Sequence, residues 1–140
     1  MSYTIAEAAK KSGISAYTLR YYDKEGLFPF LERTYSGTRK FKESDFEWLA
    51  VIACLKDTGM PVKGIRNYID LCLKGDKTLK ERLNLFIEQK KSAEAYMEKL
   101  KKHLDKIDHK IDYYITAINA DTEKVHKKNL FRMTKEKYLK

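Results

Sequence analysis

The sequence predicts a mainly α-helical fold in which a helix-turn-helix, a small β-hairpin and a pair of linking helices precede one long C-terminal helix. Three observations lead to this prediction. Capping residues and glycines divide residues 4–75 into short helical segments. Turn-forming residues interrupt these segments over residues 27–42. From residue 79 to residue 118, apolar residues then repeat in alternating steps of four and three, which is the pattern of a coiled-coil helix.

The first two helices are predicted to form the helix-turn-helix over about residues 4–25. Thr4 and Glu7 have the spacing of a capping box, in which each side chain accepts a hydrogen bond from the backbone amide of the other residue. Gly13 can adopt the positive φ that ends such a helix, and Ser15 can cap the next one. Two short helices joined by about four residues that include a glycine are typical of a helix-turn-helix.

The segment that follows has a different character, and we expect it to form a hairpin, or wing, over about residues 27–42. Pro29 stops a continuing helix, because its ring blocks the helical hydrogen-bond ladder. Ser36 and Gly37 form a turn signal, and strand-compatible residues flank them on both sides. Together these features favour two short antiparallel strands.

Two linking helices are predicted after the wing. Ser44 and Glu47 repeat the capping-box spacing and would begin a third helix that ends at Gly59. Pro61 suits the first position of a fourth helix, since that position needs no amide donor. This fourth helix is expected to run to Gly75, where the chain can turn into the long helix.

The long helix is predicted over residues 77–119, with a length of roughly 64 Å at 1.5 Å per residue. Only Lys90 interrupts its heptad seam. The domain before it is too small to cover such a seam, so we expect a second copy of the chain; the alternative is a partner helix within the chain. The seam begins with Leu79, Leu83 and Phe86, and the residues predicted to form the dimer contact are Ala93, Met97, Leu100, Leu104, Ile107, Ile111, Tyr114 and Ile118.

We therefore divide the chain into three parts. Residues 1–75 form the predicted winged helix-turn-helix domain, residues 76–119 the coiled-coil dimerisation helix, and residues 120–140 a charged tail. Because the tail holds few apolar residues, both a short extra helix and disorder stay open for it.

Composition narrows the classes of function. The net charge of +9 and the pI near 9.4 favour a polyanionic partner such as DNA. No run is apolar enough to span a membrane, and the first residues lack the apolar core of a secretory signal, so we expect a cytoplasmic protein. The two cysteines, Cys54 and Cys72, lack the spacing of a zinc site or a disulfide framework. We expect no metal and no cofactor.

The second helix and the wing hold the predicted DNA contacts. Arg20 can bond a guanine edge with two hydrogen bonds or hold a phosphate, while Leu19 and Tyr22 are placed to face inward. In the wing, Arg39 and Lys40 follow the tight turn and can lie along the phosphates. The alternative is that these cations are ordinary solvated surface. The side chains predicted to face DNA from the second helix are Tyr17, Thr18, Arg20, Tyr21 and Lys24.

Taken in order, these motifs resemble the DNA-binding domain of the MerR family. The resemblance covers about residues 3–75 by motif and residues 76–119 by architecture, and it implies a homodimer joined through an antiparallel coiled coil of the long helix. The stretches that carry it are Thr18-Leu19-Arg20-Tyr21-Tyr22-Asp23, Gly26-Leu27 with Pro29, Gly37-Thr38-Arg39-Lys40-Phe41 with Asp45, and Gly59-Met60 with Ile65.

The resemblance also implies a mechanism. Such dimers bind a pseudo-palindrome in a promoter whose two polymerase-recognition elements lie too far apart. The activated dimer kinks and untwists the DNA, so that RNA polymerase holoenzyme can use both elements through a change in promoter shape. By resemblance, the DNA contacts fall on Thr18, Arg20 and Tyr21 of the second helix and on Arg39 and Lys40 of the wing.

The resemblance says less about an effector. The sequence has no cysteine beyond Cys72 for the usual metal-sensing chemistry, and it resembles instead the aldehyde- and nitrosative-stress branch represented by AdhR and NmlR. In that branch a lone cysteine lies in the third helix, where this chain has Cys54. A cysteine inside an apolar helical run is most often an inert small hydrophobe. Sensing of a thiol-reactive aldehyde by Cys54, a non-metal small ligand and the absence of any covalent effector all stay open.

Two other classes of protein explain less of the sequence. A coiled-coil interaction protein accounts for residues 77–119 but not for the basic wing beside Arg20. A thiol enzyme built on Cys54 needs a neighbouring base and a pocket, and no nucleophile motif or paired acids accompany that residue. We therefore predict that the protein is not an enzyme.

Overall fold

The computed structural model describes residues 1–126, which form five α-helices, three short strands and two short 3-10 helices. The mainly helical prediction with a small wing is confirmed. Two compact units are present, residues 1–93 and the part of the chain from Glu94 onward. The α-helices are α1 (Ile5–Ser12), α2 (Ala16–Lys24), α3 (Asp45–Asp57), α4 (Val62–Leu73) and α5 (Leu79–Ala120). The strands are β1 (Ser2–Tyr3), β2 (Glu32–Arg33) and β3 (Arg39–Lys42), and the 3-10 helices are Asp76–Thr78 and Glu123–His126.

Local capping explains where the helix-turn-helix begins and turns. Thr4 Oγ1 accepts a 3.2 Å hydrogen bond from the amide of Glu7, and Glu7 Oε1 accepts one of 3.0 Å from the amide of Thr4. Gly13 ends α1 with φ at 77°, a conformation that costs glycine little. Ser15 Oγ then accepts from the amide of Thr18 and caps α2. These predicted caps are confirmed, because each depends only on residues a few positions apart.

The wing is the β2–β3 hairpin, but it belongs to a three-stranded antiparallel sheet of order β1-β3-β2. Strand β1 was missing from the sequence prediction, since two residues are too few to show a strand period. Tyr3 of β1 pairs with Phe41 of β3, and its ring lies edge-on to Phe46 with centroids 5.2 Å apart. This pairing joins the N-terminus of the chain to the base of the wing.

The predicted cap of α3 and the predicted first residue of α4 need correction. Among the described residues Ser44 caps no backbone amide, so the second capping box is wrong. The buried carboxylate of Asp45 instead accepts a 2.8 Å hydrogen bond from the amide of Lys42, which ties the end of β3 to the start of α3. Pro61 is the residue before α4 rather than its first helical residue, and the helix ends at Leu73, two residues before the predicted end.

A single apolar core lies beneath the helix-turn-helix, the wing and the two linking helices. Phe28 links these elements, because its ring lies edge-on to both Tyr22 of α2 and Phe41 of β3. Burying a leucine or isoleucine side chain in this core stabilises the folded chain by about 1.5–3 kcal/mol relative to leaving it exposed. The largest fully buried side chains are Phe41, Leu19, Leu27, Leu49, Ile52, Leu55, Ile65 and Ile69.

The second unit contains the later part of α5 and the turn that follows it. The chain reverses at Asp121, whose φ is 56°, and the amide of Thr122 donates to the carbonyl of Ala117. The ring of His126 then stacks on Tyr113 with centroids 4.1 Å apart. The predicted long helix is thus confirmed to within two residues at each end, whereas most of the predicted tail lies outside the described residues. None of the helices found in residues 1–126 has the length and apolar character to cross a membrane.

Candidate nucleic-acid interface

Helix α2 separates an inward face from an outward face, as its period predicts. Leu19 and Tyr22 are buried, which confirms their expected inward placement. The outward face is polar and aromatic: Tyr17 is 82% exposed and Tyr21 is 44% exposed. Arg20 and Lys24 are exposed on the same helix, and Thr18 is half-buried beside the hydroxyl of Ser15, which donates to it at 2.9 Å. All five predicted side chains therefore lie outside the core.

The structure places Arg39 of the wing against α2, whereas the sequence predicted only that it follows the turn and faces the phosphates. Lys40 is exposed, but Arg39 is half-buried and its Nε donates a 2.6 Å hydrogen bond to Oδ2 of Asp23. Arg33 Nη2, from the partner strand, donates to the same oxygen at 2.6 Å. From the sequence, Arg33 was not identified as a residue of this surface. Asp23 was identified only as the last residue of the motif that begins at Thr18. One carboxylate of α2 thus holds both wing arginines.

The charge state of Asp23 follows from these contacts. Burial acts to raise the pKa of its carboxyl group, but the hydrogen bonds and positive charges of Arg33 and Arg39 outweigh burial and hold the pKa below its ordinary value. The carboxylate is therefore ionised at neutral pH. Two guanidinium groups around one carboxylate leave a net charge of one positive unit between α2 and the wing.

Cys54 lies on the outside of α3. The sequence places it inside an apolar run and suggested burial, but its side chain is exposed in the chain. The core face of α3 is formed by Leu49, Ile52 and Leu55, and a helix turns by about 100° per residue, so Cys54 points away from them. Its carbonyl accepts a 2.9 Å hydrogen bond from the hydroxyl of Thr58. In residues 1–126 no three His, Cys, Asp or Glu side chains are grouped to hold a metal ion.

The predicted dimer seam lies on α5. Within the second unit its apolar side chains are exposed to solvent, from 42% for Leu100 to 74% for Ile118, on a helix whose other positions are mostly charged or polar. Ala93, at the end of the first unit, is half-buried. A continuous apolar stripe of this kind marks an interaction surface. The exposed members are Met97, Leu100, Leu104, Ile107, Ile111, Tyr114 and Ile118.

A helix-turn-helix packed against a three-stranded sheet that carries a basic wing, followed by a long helix, defines the class of winged helix-turn-helix transcription regulators. Within that class, the chain belongs to the MerR family. The family model described as MerR HTH family regulatory protein matches residues 3–72.

Individual relatives agree with this assignment. An HTH-type transcriptional regulator from Haemophilus influenzae, itself uncharacterized, is 46% identical over 117 residues, which are 84% of this chain and 87% of the relative. The HTH-type transcriptional regulator AdhR from Bacillus subtilis is 36% identical over 86 residues, 61% of each protein. These relatives are transcription regulators and not enzymes.

Solved structures agree as well. HiNmlR, a MerR family regulator lacking the sensor domain and bound to promoter DNA, superposes with a TM-score of 0.82 at 44% identity, covering 89% of this chain and 99% of HiNmlR. A MerR family transcriptional regulator from Bacillus thuringiensis has a TM-score of 0.74 at 42% identity, covering 80% of this chain and 98% of that one. At these identities the likeness extends beyond the fold to the family.

Proposed function

We propose that this protein is a homodimeric, sequence-specific DNA-binding regulator that binds a pseudo-palindromic promoter site. The observation that carries the proposal is the joining of α2 and the wing into one basic surface. Helix α2 exposes Arg20 and Lys24, and Asp23, which lies between them in the same helix, holds the wing arginines against it. The similarity to a regulator that was solved on promoter DNA supports the same function.

The apolar stripe of α5 supplies the dimer in this proposal. Pairing two copies removes the exposed seam from water and carries two α2 helices, one for each half-site of a pseudo-palindrome. Phosphate contacts spread over both half-sites offset the cost of bending and untwisting the spacer between them. RNA polymerase holoenzyme then responds to promoter shape rather than to contact with this protein.

The DNA-binding surface is tested by Arg20→Ala and Arg39→Ala in gel-shift titrations against the promoter. Each variant removes a cation from the proposed surface, and we expect its affinity to fall about tenfold or more while the dimer stays intact. Lys91→Ala is the matched control, because it removes one charge from an exposed site on α5 where Lys91 pairs only loosely with Glu88, at 3.4 Å. Unchanged affinity in both arginine variants would rule out this surface.

The distortion mechanism is tested separately by a promoter series with increasing spacer length. We expect the protein to raise transcription only from promoters whose spacer is longer than the polymerase prefers, because only these gain from untwisting. Equal activation at the ordinary spacer length would contradict the distortion mechanism without contradicting DNA binding.

For the effector, we propose that Cys54 is alkylated by a small electrophile such as formaldehyde or methylglyoxal. Its exposed side chain allows access, and its position in the third helix matches the lone cysteine of the aldehyde-stress branch that the sequence resembles. The thiolate adds to the carbonyl carbon of the aldehyde, a sulfur–carbon bond forms, and the carbonyl oxygen takes up a proton. No oxidant is required.

Intact-protein mass spectrometry after aldehyde exposure, beside a promoter–reporter assay, tests this proposal. Cys54→Ser should lose both the adduct and the response, whereas Cys72→Ser, which changes a half-buried cysteine on α4, should keep both. A Cys54→Ser protein that responds as well as the wild type would exclude sensing through Cys54. The remaining hypotheses would then be a non-metal small ligand and the absence of any covalent effector.

A further inference from the structure

A carboxylate lies inside the surface that is proposed to bind a polyanion. The side chain of Asp23 is only 8% exposed, and its Oδ2 accepts hydrogen bonds from Arg33 and Arg39, each at 2.6 Å. These two arginines face each other across the β2–β3 ladder, so one oxygen of α2 holds both strands of the wing. The negative charge opposes phosphate binding, and a DNA-binding surface without it would attract any DNA more strongly.

The wing needs an external anchor. Its ladder consists of the pairs Glu32 with Lys40 and Arg33 with Arg39, and a two-stranded hairpin of this size is at best marginally stable by itself. Strand β3 is held on its other edge by β1. Strand β2 lies at the edge of the sheet, and the hydrogen bond from Arg33 to Asp23 ties it to α2.

We propose that Asp23 is a positioning residue for operator recognition: it fixes the two wing arginines relative to α2, and thereby lowers affinity for DNA in general while raising discrimination in favour of the operator. The inference rests on the proposed DNA-binding function. A wing held in one register presents its cations to the phosphates only when α2 reads the correct bases. Released arginines follow the phosphates of any sequence, so general affinity rises and the difference between sequences shrinks.

The test compares wild-type protein with Asp23→Asn at full length. The probes are an operator duplex selected from a random pool by the wild-type protein and a scrambled duplex of the same length and composition, titrated by fluorescence anisotropy over a series of salt concentrations. Asn keeps the size and one acceptor oxygen of Asp. We expect tighter binding to the scrambled duplex, a salt slope steeper by about 0.9 for each additional phosphate neutralised, and a specificity ratio about tenfold lower.

Glu32→Gln is the matched control. It removes one negative charge from the same wing, but Glu32 is exposed and pairs with Lys42 at 3.2 Å instead of reaching α2. We expect Glu32→Gln to tighten binding to both duplexes by the same factor, with the specificity ratio unchanged. A ratio that falls equally in Glu32→Gln and Asp23→Asn would overturn the proposal, because the effect would then be one of net charge.

A second comparison asks whether Asp23 acts through the arginines. In the background Arg33→Gln/Arg39→Gln, adding Asp23→Asn should leave the specificity ratio where it is, since the groups that Asp23 positions are gone. A further fall as large as in the wild-type background would overturn the proposal. If Asp23→Asn fails to fold, Arg33→Lys replaces it in the test. This variant keeps the positive charge but loses the hydrogen bond from the guanidinium group to Asp23. An unchanged specificity ratio in Arg33→Lys would equally overturn the proposal.

The outcomes separate this inference from the function on which it rests. If the wild-type protein enriches no duplex from the random pool, sequence-specific binding fails and the role of Asp23 fails with it. If the wild type and Asp23→Asn discriminate equally well between operator and scrambled duplex, only the role of Asp23 is wrong.

Discussion

Arg66 of α4 donates a 2.8 Å hydrogen bond from Nε to the backbone carbonyl of Glu25, the C-cap residue directly after α2, although 41 positions separate the two residues. Its Nη2 also lies 3.4 Å from the Glu25 carboxylate. Carbonyl groups at a helix C-terminus lack helical partners and carry partial negative charge, so a guanidinium there stabilises the end of the helix. The C-terminal end of α2 is thus held by α4.

Removing this contact is expected to destabilise the domain. Arg66→Met keeps the length of the side chain but loses the donor, and the free energy of unfolding should fall by about 1 kcal/mol. Urea denaturation followed by the fluorescence of Trp48, the single tryptophan, measures this change. Lys63→Met, an exposed cation on the same helix, is the control and should stay close to wild type. Equal urea midpoints for the two variants would contradict the role of Arg66.

Substitutions on the buried face of α2 should affect stability, whereas those on its exposed face should affect DNA binding. Leu19 is fully buried, so Leu19→Ala leaves a cavity and should lower the free energy of unfolding by about 2–5 kcal/mol. Tyr17→Ala, on the exposed face, should change stability by no more than about 0.5 kcal/mol while weakening promoter binding. Denaturation curves and gel shifts on the same preparations check both statements. A stable Leu19→Ala protein would show that the core tolerates this loss.

The α5 seam predicts how the dimer can be broken. Leu104→Glu places a carboxylate from each copy in the proposed apolar contact, where burial of an unpaired charge is costly, so we expect monomers. Lys102→Glu changes charge on the same helix but outside the seam, and it should remain dimeric. Sedimentation velocity distinguishes the two species. Dimeric Leu104→Glu would place the contact between copies elsewhere.

The lowered pKa of Asp23 predicts a pH dependence of stability. A carboxyl group whose pKa is lower in the folded chain than in the unfolded chain stabilises the fold. For Asp23 this contribution is fully present at pH values above 3.8, the ordinary pKa of the group. That contribution disappears as the pH falls through the lower folded-state value. Wild type should therefore be more stable than Asp23→Asn at neutral pH, and the difference should vanish in strong acid. Urea titrations of both proteins over this pH range measure the difference; a constant gap would contradict the ion pairing.

Much of the fold was predictable from short-range signals. The capping box of Thr4 and Glu7 and the positive φ of Gly13 are set by neighbouring residues, and both predictions are confirmed. The start of α3 directly after Ser44 also agrees with the prediction, but the capping hydrogen bonds expected between Ser44 and Glu47 do not form. Ser44 has helical backbone angles, with φ at −64° and ψ at −23°, whereas the capping residue Ser15 is extended, and the spacing of residues in the sequence gives no sign of this difference.

In the candidate interface, too, some side chains could be placed from the sequence and others could not. The helical period of α2 was enough to place Arg20 on the outside and Leu19 on the inside, and both placements agree with the structure. The period gave no comparable signal for Cys54, because an apolar run leaves the core face of a helix undefined. Neighbouring elements covered Leu49 and Ile52 and left Cys54 exposed.

The sequence by itself determined the helices, the caps of α1 and α2, the wing turn and the apolar repeat of α5, since each depends on residues a few positions apart on one element. Only the tertiary structure decided that Asp23 holds Arg33 and Arg39, that Arg66 caps the C-terminal end of α2, and that β1 completes the sheet. These contacts join residues that are distant in the chain. Their formation depends on how the elements pack around the shared core, and a charged side chain in a sequence carries no sign of which partner that packing will bring to it.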